Sequence, residues 1–170
     1  MEIALCYKSR HMKHILIPTD FSIRSLRVVH HVVERFGAGE PLNIVMMHAM
    51  HMPGSIMELM MLSRRSSHYD LITDDYKEAS EILKNKYGSA IRSLKTEFLM
   101  GRSNGVFRNF LLYHNIDAIV CAAEFNFRKA SPNSYDPAEL IRKSNYPVHH
   151  VSLKKKERML VSAMSELFEI

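Results

Sequence analysis

The chain has 170 residues, of which 46% are hydrophobic and 24% charged, and a formal net charge of +5. This balance is typical of one globular domain and does not indicate a nucleic-acid-binding surface. Its two cysteines, Cys6 and Cys121, lie in unlike surroundings and exclude a disulfide framework, and no apolar run has the length of a transmembrane helix. We therefore expect a cytoplasmic protein that binds neither nucleic acid nor a membrane.

The first predicted strand is the apolar run 14–18, which ends in the polar residues Thr19 and Asp20. Ser22 is placed to cap the following helix, because its hydroxyl can accept a hydrogen bond from a free amide of the first turn. Apolar residues at helical spacing continue this helix up to Gly37, a residue type that suits a left-handed C-cap.

The middle of the chain contains two further predicted strands. The apolar run 42–49 predicts the second strand, and the stretch 50–67 is interpreted as a loop with one or two apolar turns. An apolar stripe predicts a helix over 70–87. Alternating residues predict the third strand over 94–100, where Gly101 ends it.

The last third of the chain repeats the alternation of helix and strand. Ser103 or Asn104 can cap a helix, and an apolar run predicts the fourth strand over 117–122. Residues 136–139 are typical of a helix start, and 147–152 form the last predicted strand. Apolar strands that alternate with helices predict a parallel sheet covered on both faces, which is a three-layer α/β sandwich.

Several short motifs, in this order, resemble universal stress protein domains. They are ILIPTDFS at 15–22, MHA at 47–49, DAIV at 117–120 and ELIRKSNYPVHHV at 139–151. Each motif alone is weak, but their order and spacing together are specific. The resemblance implies an adenine nucleotide alpha hydrolase-like, Rossmann-like fold with five parallel strands in the order 3-2-1-4-5.

The resemblance also divides the chain into three parts. Residues 1–11 are an N-terminal appendage, 12–153 are the universal stress protein-like domain, and 154–170 are a basic and then amphipathic tail. The family commonly forms dimers through its last strand. We therefore expect a homodimer whose contact includes that strand and the tail.

In sheets of this order, ligands bind beyond the carboxyl ends of the strands where the strand order reverses, here between the first and fourth strands. The resemblance places a remnant nucleotide pocket there, and its candidate residues are Thr19, Asp20, Ala49, Ala122 and Ser134. In nucleotide-binding members the matching aspartate lies near the nucleoside, and the position of Ala49 lines the adenine pocket. The alternative is that Asp20 only caps a turn and that Ala49 is simply a strand residue.

Many family members bind ATP through G-x2-G-x9-G-S/T after the fourth strand, where backbone amides approach the phosphates without a Cβ in the way. None of the six glycines of this chain lies in that part of the sequence. Ala122 and Phe125 replace the first two glycines, Ser134 replaces a later one, and Glu124 would repel phosphate. We therefore expect no ATP or AMP cofactor.

Other residue patterns favour no chemistry. The histidine pairs 30–31 and 149–150 cannot chelate one ion, because neighbouring side chains diverge, and no spacing resembles a zinc site. We expect no metal, and histidines that are exposed or at edges. No serine or cysteine has an identifiable base, so we expect no enzyme.

The methionine-rich stretch 46–61 is either core plus a lid over the pocket mouth, or a partner-binding surface.

Taken together, these observations favour a non-enzymatic stress-response or regulatory module that acts as a homodimer through unidentified protein partners. The alternative is a nucleotide or small-molecule sensor with a remodelled pocket between the first and fourth strands. In that case Asp20 would still contact the nucleoside, and Arg128 or Lys129 would replace the glycine loop.

Overall fold

The computed structural model describes residues 13–55, 57, 60, 68–124 and 126–153. Within them lie five strands: β1 (His14–Pro18), β2 (Leu42–Met50), β3 (Ile91–Met100), β4 (Ala118–Ala122) and β5 (Val148–Val151). All four pairings are parallel, and the order is β3-β2-β1-β4-β5. The predicted fold class and strand order are therefore confirmed. The predicted appendage 1–11 and tail 154–170 lie outside the described residues.

Helices cover both faces of this sheet. In the described part of the chain they are α1 (Ile23–Phe36), α2 (Asp74–Lys86), α3 (Asn104–Tyr113) and α4 (Ala138–Arg142), with a short 3-10 turn at Tyr69–Leu71. The first three begin at side-chain caps, in which the hydroxyls of Ser22, Thr73 and Ser103 accept hydrogen bonds from backbone amides. None of the described helices has both the length and the apolar character needed to cross a membrane.

Three predicted boundaries differ from the structure. The helix expected over 70–87 begins only at Asp74, because Thr73 has an extended backbone and acts as its cap. Strand β3 begins at Ile91, where its buried side chain pairs with the start of β2. Gly37 has a φ of −82°, so it is not left-handed. A Cβ at Gly37 would lie 2.5 Å from the Val33 carbonyl oxygen, so close approach explains the glycine instead.

The alternation of side chains along each strand divides the core into two layers. Ile15 and Ile17 of β1 pack in the layer with α1 and α2, whereas Leu16 packs in the layer with α3 and α4. The methionine-rich stretch is divided as well. Met46, Met47 and Met50 are buried core residues, and Met52, Met57 and Met60 are exposed. The core interpretation is confirmed for the first three residues only.

Strands β1 and β4 separate towards their carboxyl ends. They share only two register pairs, Ile15 with Ala118 and Leu16 with Ile119. The last residues of β1, Ile17 and Pro18, remain paired with β2. This divergence opens the sheet at the point where the strand order reverses.

Candidate functional site

The connection from β4 to α4 folds back over the carboxyl end of the sheet. We call residues 126–135 of this connection the switch-point loop. Its end pairs with β2, since Ser134 forms an antiparallel bridge with Met50. The Tyr135 amide donates to the Ala49 carbonyl at 3.1 Å, and the His51 amide donates to the Asn133 carbonyl at 2.8 Å. The loop is therefore fastened to the strand that lies next to β1.

Asp20 lies under this loop and is only 7% exposed. Its Oδ1 accepts hydrogen bonds from the Ser22 amide at 3.0 Å and the Ser22 hydroxyl at 2.5 Å. Its Oδ2 accepts from the Arg128 amide at 3.2 Å. The carboxylate thus caps the turn into α1 and also holds the switch-point loop.

Thr19 and Tyr76 form a buried polar contact beside Asp20. The Thr19 hydroxyl oxygen lies 2.7 Å from the Ser25 hydroxyl and 3.1 Å from the Tyr76 hydroxyl. It also accepts a hydrogen bond from the Phe21 amide. Burial raises the pKa of Tyr76 to about 12, so this phenol stays protonated at neutral pH.

His48 lies in the centre of this group and is fully buried, which makes the expectation of exposed or edge histidines wrong at this position. Its Nδ1 is 2.8 Å from the Thr19 carbonyl oxygen, and its Nε2 is 2.8 Å from the Ser134 hydroxyl oxygen. A carbonyl only accepts, so Nδ1 carries the proton and Nε2 accepts from Ser134. Burial is the main cause that lowers the pKa of His48, which favours this neutral form.

Ser134 is fully buried as well and joins the loop to this histidine. Its hydroxyl oxygen accepts a hydrogen bond from the Ser131 amide at 3.1 Å and lies 3.1 Å from the Ser131 hydroxyl. A serine hydroxyl on a histidine nitrogen is the arrangement of a nucleophile and its base, which the sequence did not indicate. Both groups are enclosed, so no substrate atom reaches them in this conformation.

Aromatic rings surround the imidazole of His48. The ring centroid of Phe21 is 4.3 Å from that of His48, and the centroid of Phe127 in the switch-point loop is 5.8 Å away. Both rings are nearly parallel to the imidazole, with interplanar angles of 24°. Phe98 of β3 approaches edge-on at 6.0 Å. The loop therefore supplies both a hydroxyl and an apolar cover to the histidine.

The structure brings four of the five predicted site residues together at the switch-point loop: Thr19, Asp20, Ala49 and Ser134. Ala122 lies apart, at the end of β4 opposite Val151, where it lines a cavity of about 510 Å3. The sequence analysis missed His48 as a central residue. The available signal was a polar side chain in the middle of the apolar run LNIVMMHAM.

Glu124 does not lie where the sequence analysis placed it. Its carboxylate accepts hydrogen bonds from the Ser152 hydroxyl at 2.7 Å and the Leu153 amide at 3.0 Å, so it is held at the end of β5. Phe125 lies outside the described residues. No three histidine, cysteine or carboxylate side chains are grouped as metal ligands in the described part of the chain, and the absence of a metal stays a prediction.

No family model matches this sequence, and no curated protein matches it. Solved structures do match over most of the chain. Hypothetical protein MJ0577 has 20% sequence identity and a TM-score of 0.52, with 84% of this chain and 97% of that chain covered. The universal stress protein UspA from Lactobacillus plantarum has 16% identity and a TM-score of 0.51, with 85% and 99% covered.

A universal stress protein solved in complex with cAMP is similar to the same degree. It has 16% identity and a TM-score of 0.51, and the match covers 84% of this chain and 98% of that one. The resemblance found in the sequence is thus confirmed at the level of the fold. This chain has the α/β fold of universal stress proteins.

Proposed function

We propose that this chain is a universal stress protein-like regulatory module that acts through protein partners and does not hold ATP by a loop after its fourth strand. The shared fold supports the first part of the proposal. The observation that supports the second part most directly is the Arg128 amide on Asp20, because it closes the switch-point loop over that carboxylate.

The hydrogen bonds of Asp20 oppose a nucleoside at this position. Both carboxylate oxygens already accept protein donors, one from Arg128 and two from Ser22. A ribose hydroxyl would have to enter beneath the closed loop to reach the remaining lone pair of Oδ2, or displace the Arg128 amide and so release the loop from Asp20.

The backbone of the switch-point loop also opposes a phosphate. A phosphate cradle needs several amides that converge on one point and are otherwise free. Here the amides of Arg128, Ser131, Ser134 and Tyr135 donate to acceptors within the protein. Pro132 has no amide hydrogen to offer. These four amides are therefore not available to a triphosphate while the loop is closed.

We propose that the protein is cytoplasmic and forms a homodimer. The reason for the homodimer is that β5 forms an edge of the sheet, and an open edge favours pairing with another chain. We propose no catalytic step, since the Ser134–His48 pair is enclosed. The identity of the protein partners follows from neither the fold nor this site.

Isothermal titration calorimetry of the unmodified protein with ATP, AMP and cAMP tests the nucleotide part. cAMP is included because a structure of the same fold was solved with it. We expect no heat of binding at micromolar ligand concentrations. Micromolar ATP binding that Asp20→Ala removes would contradict the proposal and favour the sensor with a remodelled pocket. Asp74→Ala is the matched control, because Asp74 is exposed on α2 and forms an ion pair with Lys77 at the surface.

A further inference from the structure

His48 connects three segments that are distant in the sequence. It belongs to β2, its Nδ1 donates to the carbonyl of Thr19 at the end of β1, and its Nε2 accepts from Ser134 in the switch-point loop. Ser134 is 86 positions away along the chain. One titratable ring therefore helps to hold the loop on the sheet.

Few other contacts hold the middle of the loop. Asn126 and residues 128–130 are exposed. Phe127 covers the imidazole, and the amide of Arg128 is bonded to Asp20. Protein segments with few buried contacts open most easily. The middle of the loop is therefore the part that separates from the sheet most easily, whereas its end, where Ser134 and Tyr135 are buried, separates only when its bonds to β2 break.

A proton on Nε2 of His48 would change the hydrogen bond between His48 and Ser134, and with it the one between Ser134 and Ser131. Protonated Nε2 can no longer accept, so the Ser134 hydroxyl must turn towards Ser131. The Ser131 hydroxyl then loses Ser134 as its acceptor, and a positive charge is enclosed among phenylalanine rings. The charged imidazole keeps the Thr19 carbonyl as an acceptor and gains the Ser134 oxygen as a second one, but a charge taken out of water is costly even so, and opening the loop would return it to water.

Several titratable or charged groups lie on the elements packed around this site, among them Tyr69, whose ring contacts that of Phe98. Asp20 of the β1–α1 connection is an anion, and its oxygens are occupied by Ser22 and Arg128. The Arg128 side chain belongs to the loop itself. Tyr76 of α2 contacts the Phe21 ring, and His68 contacts the Phe98 ring. Burial lowers the pKa of His48 and outweighs the hydrogen bond to the Thr19 carbonyl and the charge of Asp20, which both favour the charged imidazole.

We propose that the switch-point loop is a latch that is closed over the end of the sheet while His48 is neutral and opens when His48 takes up a proton. Opening releases the Arg128 amide from Asp20 and exposes Ser134. Acid thus makes accessible a carboxylate and a hydroxyl that are enclosed at neutral pH. The latch does not depend on whether the protein binds nucleotides.

The sign of the pH effect follows from the direction of the pKa shift. The pKa of His48 is lowered from its ordinary value of 6.5 in the closed state. The closed latch is therefore fully stabilised above pH 6.5 and loses this stabilisation as the pH falls towards the lowered pKa. In that range the open state binds more protons than the closed state, so the opening constant rises as the pH falls, by at most about tenfold for each pH unit.

Amide hydrogen exchange measures this opening directly. It is followed by NMR on the full chain between pH 7.5 and pH 5, and the rates are corrected for intrinsic exchange. The reporters are the amides of His51, Arg128 and Tyr135, whose bonds fasten the loop. We expect their opening constants to rise with acid, while the amides of Leu42 and Asn43 in β2 keep their protection. An equal rise at Leu42 and Asn43 would mean global unfolding and would overturn the latch.

Two substitutions identify the titrating group. In His48→Gln, whose amide stays neutral, we expect opening that does not depend on pH. His114→Gln is the matched control, since burial lowers the pKa of His114 as well, and this variant should keep the wild-type response. A response that persists in His48→Gln, or that is lost in His114→Gln, would refute the proposal. Should His48→Gln fail to fold, His48→Asn replaces it, because its amide is also neutral at every pH, and we expect the same opening that does not depend on pH.

Discussion

Position 48 shows how a polar residue is accommodated in an apolar strand. The imidazole is buried against Phe21 and Phe98 in the core layer of α1 and α2, and both ring nitrogens have partners in the protein. A buried polar group with all its hydrogen bonds made costs little, whereas one left without a partner costs about 1–3 kcal/mol. The enclosed hydroxyl of Ser134 bonds to His48 and also to Ser131.

Replacing His48 by an apolar residue tests the importance of these bonds. In His48→Leu the Thr19 carbonyl and the Ser134 hydroxyl both lose a partner. We expect the free energy of unfolding in urea to fall by at least about 1–3 kcal/mol. His150→Leu is the control on an exposed strand position, where we expect a change of no more than about 0.5 kcal/mol. Equal effects of the two variants would contradict the role assigned to His48.

At the scale of the element, the helices begin where hydroxyl side chains satisfy free amides. Ser103 shows this for α3, because its hydroxyl accepts from the Val106 amide at 3.2 Å and its own backbone is extended. The same residue lies directly after β3 and Gly101, which has a φ of +118° and allows the sharp turn. Local residue chemistry therefore fixes where the third strand ends and the next helix begins.

Loss of this cap gives a prediction with a matched control. Ser103→Ala removes the acceptor for the Val106 amide and should lower the free energy of unfolding by about 1 kcal/mol. Ser80→Ala makes the same chemical change inside α2, where the hydroxyl donates to the Tyr76 carbonyl of its own helix. We expect no loss there, because alanine is the better helix former. Urea unfolding curves of both variants decide between capping and a general effect of losing serine.

At the scale of the whole molecule, β5 is one of the two edge strands of the sheet, and β3 is the other. The sheet order places β5 at one edge, next to β4 only, within the part of the chain that the structure describes. Its residues Val148 and Val151 are half-buried. An edge strand with apolar residues is prone to pair with another chain unless it is covered.

We therefore expect a dimer in solution. Equilibrium sedimentation of the full chain at high micromolar concentration should give twice the mass of 19.7 kDa. The physical reason is that a second copy of β5 can complete the open hydrogen bonds of this edge. A monomer at that concentration would contradict the prediction and would favour a tail, 154–170, that covers the edge of its own chain.

The sequence alone determined the class of fold. Apolar runs of strand length that alternate with capped helical stripes predict a covered parallel sheet, because both periods follow from local backbone geometry. Ser22 and Ser103 were identifiable as caps for the same reason, since a cap bonds to an amide three residues away. The strand order came from the family resemblance, as no local pattern specifies which strands are neighbours.

Only the tertiary structure decided the chemistry at the carboxyl end of the sheet. His48 and Ser134 are 86 positions apart, Thr19 and Tyr76 are 57 apart, and Asp20 and the Arg128 amide are 108 apart. Whether such groups meet depends on strand order, register and the path of the loop. A hydrogen bond forms only within about 3 Å, so these pairs are fixed by the fold and not by any spacing in the sequence.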